Sequence, residues 1–301
     1  MKKGLIVFTV IGSVLLLTGG ALLGIAIATH GFDSIASTGE VVTNKHEVNE
    51  TFTKFDINTV TADVEFKASE DASCSVICEE REKVYHTVEV IDNALTIKQV
   101  DELHWYEKIF TNFNRMKVTL YLPTNTYDNL KIKGVTGDVI INNFSFTEQN
   151  IETTTGDIKL SDVNGTNTSI KVTTGKVVLT NYTNTGSLKV DSTTGDTTFK
   201  NVNCDSAELL STNSDYKLDA FLVTNHLKID TTTGDVDFLN CDAGTLNIHT
   251  TTGHVQGNLL TPKDFKAHTT TGTVTVYSTE GAPECVVDTT TGDITLTVGA
   301  K

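Results

Sequence analysis

A glycine recurs at almost constant spacing through the second half of this chain, at Gly137, Gly156, Gly175, Gly195, Gly234, Gly253, Gly272 and Gly292. It is the fourth residue of the phrase Thr-Thr-Thr-Gly-Asp, complete at Thr153–Asp157, Thr231–Asp235 and Thr289–Asp293. Ser214 fills the one vacancy, and the steps are then 19, 19, 20, 19, 20, 19, 19 and 20 residues. A period of that length constrains the fold strongly. One repeat is too short to bury an apolar face alone, so repeats must stack into a solenoid.

Alignment on the glycine exposes the wall of each coil. Five residues before it stand Ile132, Ile151, Ile170, Val190, Leu209, Ile229, Ile248, Ala267 and Val287. Seven before it stand Leu130, Leu188, Leu227, Leu246, Phe265 and Cys285. Two after it come Val139, Ile158, Val177, Val236, Val255, Val274 and Ile294; four after come Ile141, Leu160, Leu179, Phe199, Leu218, Phe238, Val276 and Leu296. Polar residues alternate with these, which predicts strands with one face inward. The inward parity switches at the Thr-Gly step, so a bend belongs there. Phe144, Val163, Tyr182, Val202, Phe221 and Leu260, seven after the glycine, predict a third inward point. The same frame detects an earlier rung, with Phe55 and Ile57 before Ala62 and Val64 and Phe66 after it.

Thr-Gly-Asp-Val/Ile repeats behind an apolar N-terminal segment, an isolated first rung and Leu122–Pro123 before the repeats resemble a bacterial family of proposed adhesins with β-strand repeats. The resemblance covers roughly residues 45–301. It implies a Gram-positive, membrane-anchored protein related to Lia-type envelope-stress proteins. It supplies no catalytic residues.

The expected fold is all-β: a parallel β-solenoid of 19–20-residue rungs, roughly ten of them, with right-handed coiling favoured by the hand of parallel crossovers. The expected organisation is a cytoplasmic start and transmembrane helix over 1–30, a stalk over 31–50, a first rung with inserted antiparallel hairpins over 51–129, and the repeat solenoid over 130–301. Gly4 to Ala28 is uncharged and apolar, and 25 residues suffice to span a bilayer. Lys2 and Lys3 before it put the N-terminus in the cytoplasm and the solenoid outside. Ala26-Ile27-Ala28 resembles a signal-peptidase site, but the apolar run is longer than a usual signal core. Ser73–Glu79, Val84–Val90, Ala94–Lys98 and Met116–Leu122 read as the strands of the insertion. Between the last two, Leu103, Tyr106, Phe110 and Phe113 have helix-like spacing that suits a cover for the solenoid's end.

The polar columns are candidates for function. Threonine stands two before the glycine in every repeat from Thr154 to Thr290. An ice-binding face is disfavoured because the neighbouring outward column, Glu152, Lys171, Asp191, Leu210, Asp230, His249, His268 and Asp288, is charged and mixed. Asp138, Asp157, Asp196, Asp215, Asp235 and Asp293 follow the glycine, where a carboxylate readily accepts backbone N–H groups. The Gly-Gly-x-Gly-x-Asp calcium nonapeptide is missing. Asp230, His249, His268 and Asp288 should form an outward ladder, of a residue type that can ligate metal but reads more simply as a solvated face. Five cysteines without zinc spacing predict neither structural disulfides nor a zinc site.

No nucleophile-and-base pattern stands out, and the solenoid from Leu130 onward has no arginine. The reading is therefore not an enzyme, with no catalytic, cofactor-binding or metal residues and no cofactor. It is a membrane-anchored, extracytoplasmic adhesion or interaction module of the cell envelope. Its alternatives are an accessory of envelope-stress signalling and a carbohydrate-active β-helix enzyme. The net charge of −15 excludes a nucleic-acid reader and favours a cell-envelope or host protein, or a neutral glycan, as partner.

Overall fold

A computed structural model describes Gly19 and residues 41–104 and 116–299. The expected membrane helix and the segment from Trp105 to Phe113 lie outside the described residues. Within 41–104 and 116–299 every regular element is a strand. The first seven are β1 (Val42–Glu47), β2 (Lys54–Asn58), β3 (Ala62–Ala68), β4 (Ser75–Glu80), β5 (Val84–Ile91), β6 (Ala94–Asp101) and β7 (Met116–Leu122). Next come β8 (Thr126–Thr136), β9 (Val139–Asn142), β10 (Ser145–Thr155), β11 (Ile158–Ser161), β12 (Asn164–Thr174), β13 (Val177–Asn184), β14 (Ser187–Thr194) and β15 (Thr197–Cys204). The last are β16 (Ser206–Asn213), β17 (Tyr216–Thr233), β18 (Val236–Thr252), β19 (Val255–Leu259), β20 (Asp264–Thr271), β21 (Val274–Thr275), β22 (Glu284–Thr291) and β23 (Ile294–Val298).

The strands stack in parallel with residues of equal offset opposite one another. Ile132, Ile151 and Ile170 are in register, as are Val139, Ile158 and Val177. The inward columns are almost completely buried, including Ile132, Ile151, Ile170, Val190, Leu209, Ile229, Ile248 and Val287. The first threonine of the repeat phrase also points inward, as at Thr153, Thr231, Thr250 and Thr289, while the next two point out. Two successive outward residues are the parity switch seen in the sequence, and the glycine turns the corner.

Two inward expectations are corrected. Leu260 is exposed and Leu259 is buried in its place. The register between β18 and β19 shifts after Phe238, and Gly257 has φ 130°, so a bulge moves the column by one residue. Val274 is also exposed, because β21 has only two residues and forms the end of its wall.

A second corner follows, six residues after the glycine. Asn143, Asp162, Asn181, Asn201, Ala220 and Asn240 have φ between 50° and 63° there. Asn and Asp tolerate this left-handed conformation better than other side chains. Asn201 Nδ2 donates to Asn181 Oδ1 at 3.0 Å, and Asn181 Nδ2 to Asp162 Oδ1 at 2.9 Å. Ala220 interrupts that ladder.

Turns do not follow chain order at the ends. Those cornered at Ala62, Gly137, Gly156, Gly175, Gly195, Ser214, Gly234 and Gly253 stack in sequence, about eight in all. Then β22 and β23 pair with β18 and β19, and β20 and β21 stack outside them. The turn at Gly292 thus lies inside the turn at Gly272. The other end shows the same inversion: β6 and β7 lie parallel to β2 and β3 and outside them. The insertion was expected to leave the solenoid as hairpins. Instead, two of its strands extend both walls, with Leu95, Ile97, Val118 and Leu120 continuing the core. Only β5 on β6, and β4 and then β1 on β7, run antiparallel. An aromatic cluster fills this end, with Phe55 against Phe66 at 5.4 Å and against Tyr127 at 4.9 Å.

Candidate binding surfaces

Apart from Asp196, which lies 3.8 Å from the Lys176 ammonium instead, the outward aspartates at the glycine corner are committed to the backbone. Asp138 N–H donates to Asp63 Oδ1 at 2.8 Å, Asp157 N–H to Asp138 Oδ1 at 2.8 Å, and Lys176 N–H to Asp157 Oδ1 at 3.0 Å. Asp235 N–H and His254 N–H continue the pattern further along. At the inverted end, Asp293 N–H donates to His254 Nδ1 and Thr273 N–H to Asp293 Oδ1, so the side chains repeat the strand order. Burial acts to raise the Asp157 pKa, but the Lys176 N–H and the Lys159 ammonium outweigh it and hold the carboxyl below its usual value. This column staples one turn to the next.

The ladder of Asp230, His249, His268 and Asp288 does lie in one column, but in a different order. Asp230 pairs with His249, His249 with Asp288, and Asp288 with His268. Acid and imidazole therefore alternate. His268 Nδ1 lies 3.9 Å from Asp288 Oδ1, with both side chains substantially exposed. Solvent screening leaves such a pair little energy.

An open groove of about 860 Å³ lies over the flank between the second corner and the next strand. It runs across several turns, from Asn184 through Asn203, Leu222 and Asp242 to Thr261 and Lys263. Leu222 and Leu260 offer it half-exposed apolar surface. At one end Lys263 is buried, with its ammonium 2.8 Å from Asp242 Oδ1 and 2.6 Å from the Ala243 carbonyl oxygen. That pairing compensates the burial of the charge and fixes the groove wall.

A second hollow of about 550 Å³ lies at the N-terminal end of the solenoid, lined by Asn44, His46, Glu80, Arg81, Tyr85 and His86. Alternation puts Cys78 and Glu80 on the same face of β4. In β1, Asn44 stands opposite Cys78 and His46 opposite Val76, so they share that face. The turn after Glu80 carries the chain to the other wall, where β5 pairs with β6 and presents His86. Cys78, Glu80 and His86 are all buried, and their donor atoms lie within 4.8 Å of one another. Glu80 accepts from Asn44 Nδ2 at 2.6 Å and from the His86 N–H at 2.7 Å, and its Oε2 lies 3.1 Å from His86 Nδ1. The Nε2 atoms of His86 and His46 are buried without a partner. Burial lowers the His86 pKa; Glu80 opposes that and His46 adds to it. Burial, with Glu80 beside it, pushes the Cys78 thiol up to about 12. The sequence assigned no role to these residues. They meet only because β4 and β5 face one another across the core instead of pairing. The other cysteines are also thiols, with Cys204, Cys241 and Cys285 buried as small apolar residues.

A family model described as Toastrack, DUF4097, matches residues 52–297. Solved structures share the fold at low identity. A proposed lipid-binding protein from Parabacteroides distasonis is 15% identical with a TM-score of 0.52, covering 86% of this chain and 98% of its own. A proposed adhesin from the same species is 13% identical with a TM-score of 0.52 and the same coverage. A proposed adhesin from Parabacteroides merdae is 13% identical with a TM-score of 0.51, covering 86% of this chain and 97% of its own. No curated protein matches the chain.

Proposed function

The chain belongs to the Toastrack family, DUF4097, and from that premise we propose that it is a non-enzymatic adhesion or interaction module. The observation that carries this reading is the flank groove. It crosses several turns, so it suits an extended ligand that meets related contacts at each turn and gains strength by their addition. Two of the structures that share the fold carry adhesin names, in line with this role. The repeat columns are occupied with holding turns together, through Asp-to-backbone and Asn-to-Asn bonds. The resemblance to Gram-positive envelope proteins and the 25-residue apolar segment place the module, on this reading, outside the cell membrane and tethered to it. A net charge of −15 favours a cationic envelope or host protein, or a neutral glycan, over an anionic polymer.

The test is retention of the purified chain on isolated envelopes. Wild type should bind saturably, and Leu222→Asp with Leu260→Asp should lose most of that binding with an unchanged melting temperature. Binding that falls with added salt identifies a cationic partner, and binding that persists identifies a neutral glycan. Equal retention of the double variant and wild type would reject the groove as the binding surface.

A further inference from the structure

We propose that the N-terminal end of the solenoid holds a divalent transition metal of the zinc class, bound by Cys78, Glu80 and His86. The three donor types are those that zinc takes from proteins, and thiolate with imidazole selects it over magnesium or calcium. Their donor atoms already lie within 4.8 Å of one another. A tetrahedral ion with bonds of about 2.0–2.3 Å sets its ligands roughly 3.3–3.7 Å apart. Glu80 Oε2 and His86 Nδ1, at 3.1 Å, are close to that spacing.

Two further observations point to a ligand rather than to an ordinary polar cluster. With the ion at His86 Nδ1, the orphan it can account for is His46 Nε2, which is buried in the same cleft without a partner. Buried polar atoms are nearly always satisfied, so an orphan at this cleft calls for a missing partner. A carboxylate and a thiolate would also neutralise a divalent ion, leaving no net charge to bury. Metal binding displaces the Cys78 proton, which is why a thiol of ordinarily high pKa remains competent. A cleft of about 550 Å³ reaches the group from solvent.

Position gives the site its role. Between β4 and β5 the backbone is joined only by the bridge of Arg81 with Val84 at the turn. The metal clamps the two walls together at this end, where no further turn covers them among the described residues. A fourth position is left for water, or for His46, which lines the same cleft, once its side chain shifts towards the ion.

Cobalt titration of the full-length, reduced, metal-free chain tests this. One equivalent of Co²⁺ should produce the near-ultraviolet charge-transfer absorption of a thiolate ligand. Zn²⁺ should displace it and raise the melting temperature. Cys78→Ser should abolish the band, and Glu80→Gln and His86→Asn should each weaken binding by about tenfold or more. His249→Ala with His268→Ala, on the exposed ladder, should change nothing. Absence of stoichiometric binding, a band that survives Cys78→Ser, or its loss in the ladder variant would overturn the proposal. Glu80→Gln preserves side-chain shape, so unchanged affinity in that variant would overturn it even if Cys78→Ser failed to fold.

Discussion

At Gly234 the backbone φ is 148°, and a Cβ would lie 1.9 Å from the Ser214 carbonyl oxygen. Strain and collision both forbid a side chain there. Gly234→Val should therefore destabilise the fold by several kcal/mol, since the conformation alone costs about 1–3 kcal/mol. Thr232→Val, at an exposed neighbour, should stay within about 0.5 kcal/mol. Thermal melts of the two variants compare them directly, and equal losses would refute the corner. Ser214 shows how the column admits another residue: its φ is not positive, and its side chain turns inward to Ser192 Oγ at 3.2 Å. Asp157 supplies a pH test. Its folded pKa is lowered, so the stability it adds is present above its unfolded value of about 3.9 and is lost as pH falls through the lower folded value. Asp157→Asn keeps an acceptor for the Lys176 N–H but does not titrate there. Acid melts should show less loss below about pH 4 in the variant than in wild type.

At the scale of elements, the strands and both wall columns were legible because period-two alternation and the glycine step leave little freedom. The second corner was legible in principle, in the column from Asn143 to Asn240, but its signal is one residue wide and Ala220 breaks it. Stacking order was not legible. Every turn offers the same offsets and the same hydrogen-bonding edge, so any turn can neighbour any other in register. Only the connections decide, and the loop between β21 and β22 is long enough to carry β22 back past β20. The end cleft was hidden for a related reason, since its ligands come from walls that face each other and leave no spacing rule. The inverted order predicts a specific defect. Deleting residues 283–301 removes β22 and β23 and strands β20 and β21 without a neighbouring turn. Hydrogen exchange should then show loss of protection over residues 264–276 while β10 to β16 stay protected. Retained protection over 264–276 would contradict the order. The two-residue β21 leaves a short edge on its wall at that end, which gives another chain little to pair with there.

At the scale of the whole molecule, an acidic solenoid whose corner columns of Asp and Asn are spent on joining its own turns is suited to presentation and contact. The proposed topology predicts that protease added outside intact protoplasts degrades the solenoid. It also predicts that the intact protein's mass retains Met1 through Ala28. Protection from external protease, or a chain beginning at Thr29, would contradict the anchor as drawn. The central claim is that the flank binds and no chemistry follows. It is tested most directly by incubating the chain with envelope polysaccharides and measuring binding and product in the same samples. The account predicts saturable binding, unaffected by His249→Ala with His268→Ala, and no product above the level without protein. Metal-dependent product formation that those two substitutions abolish would contradict it.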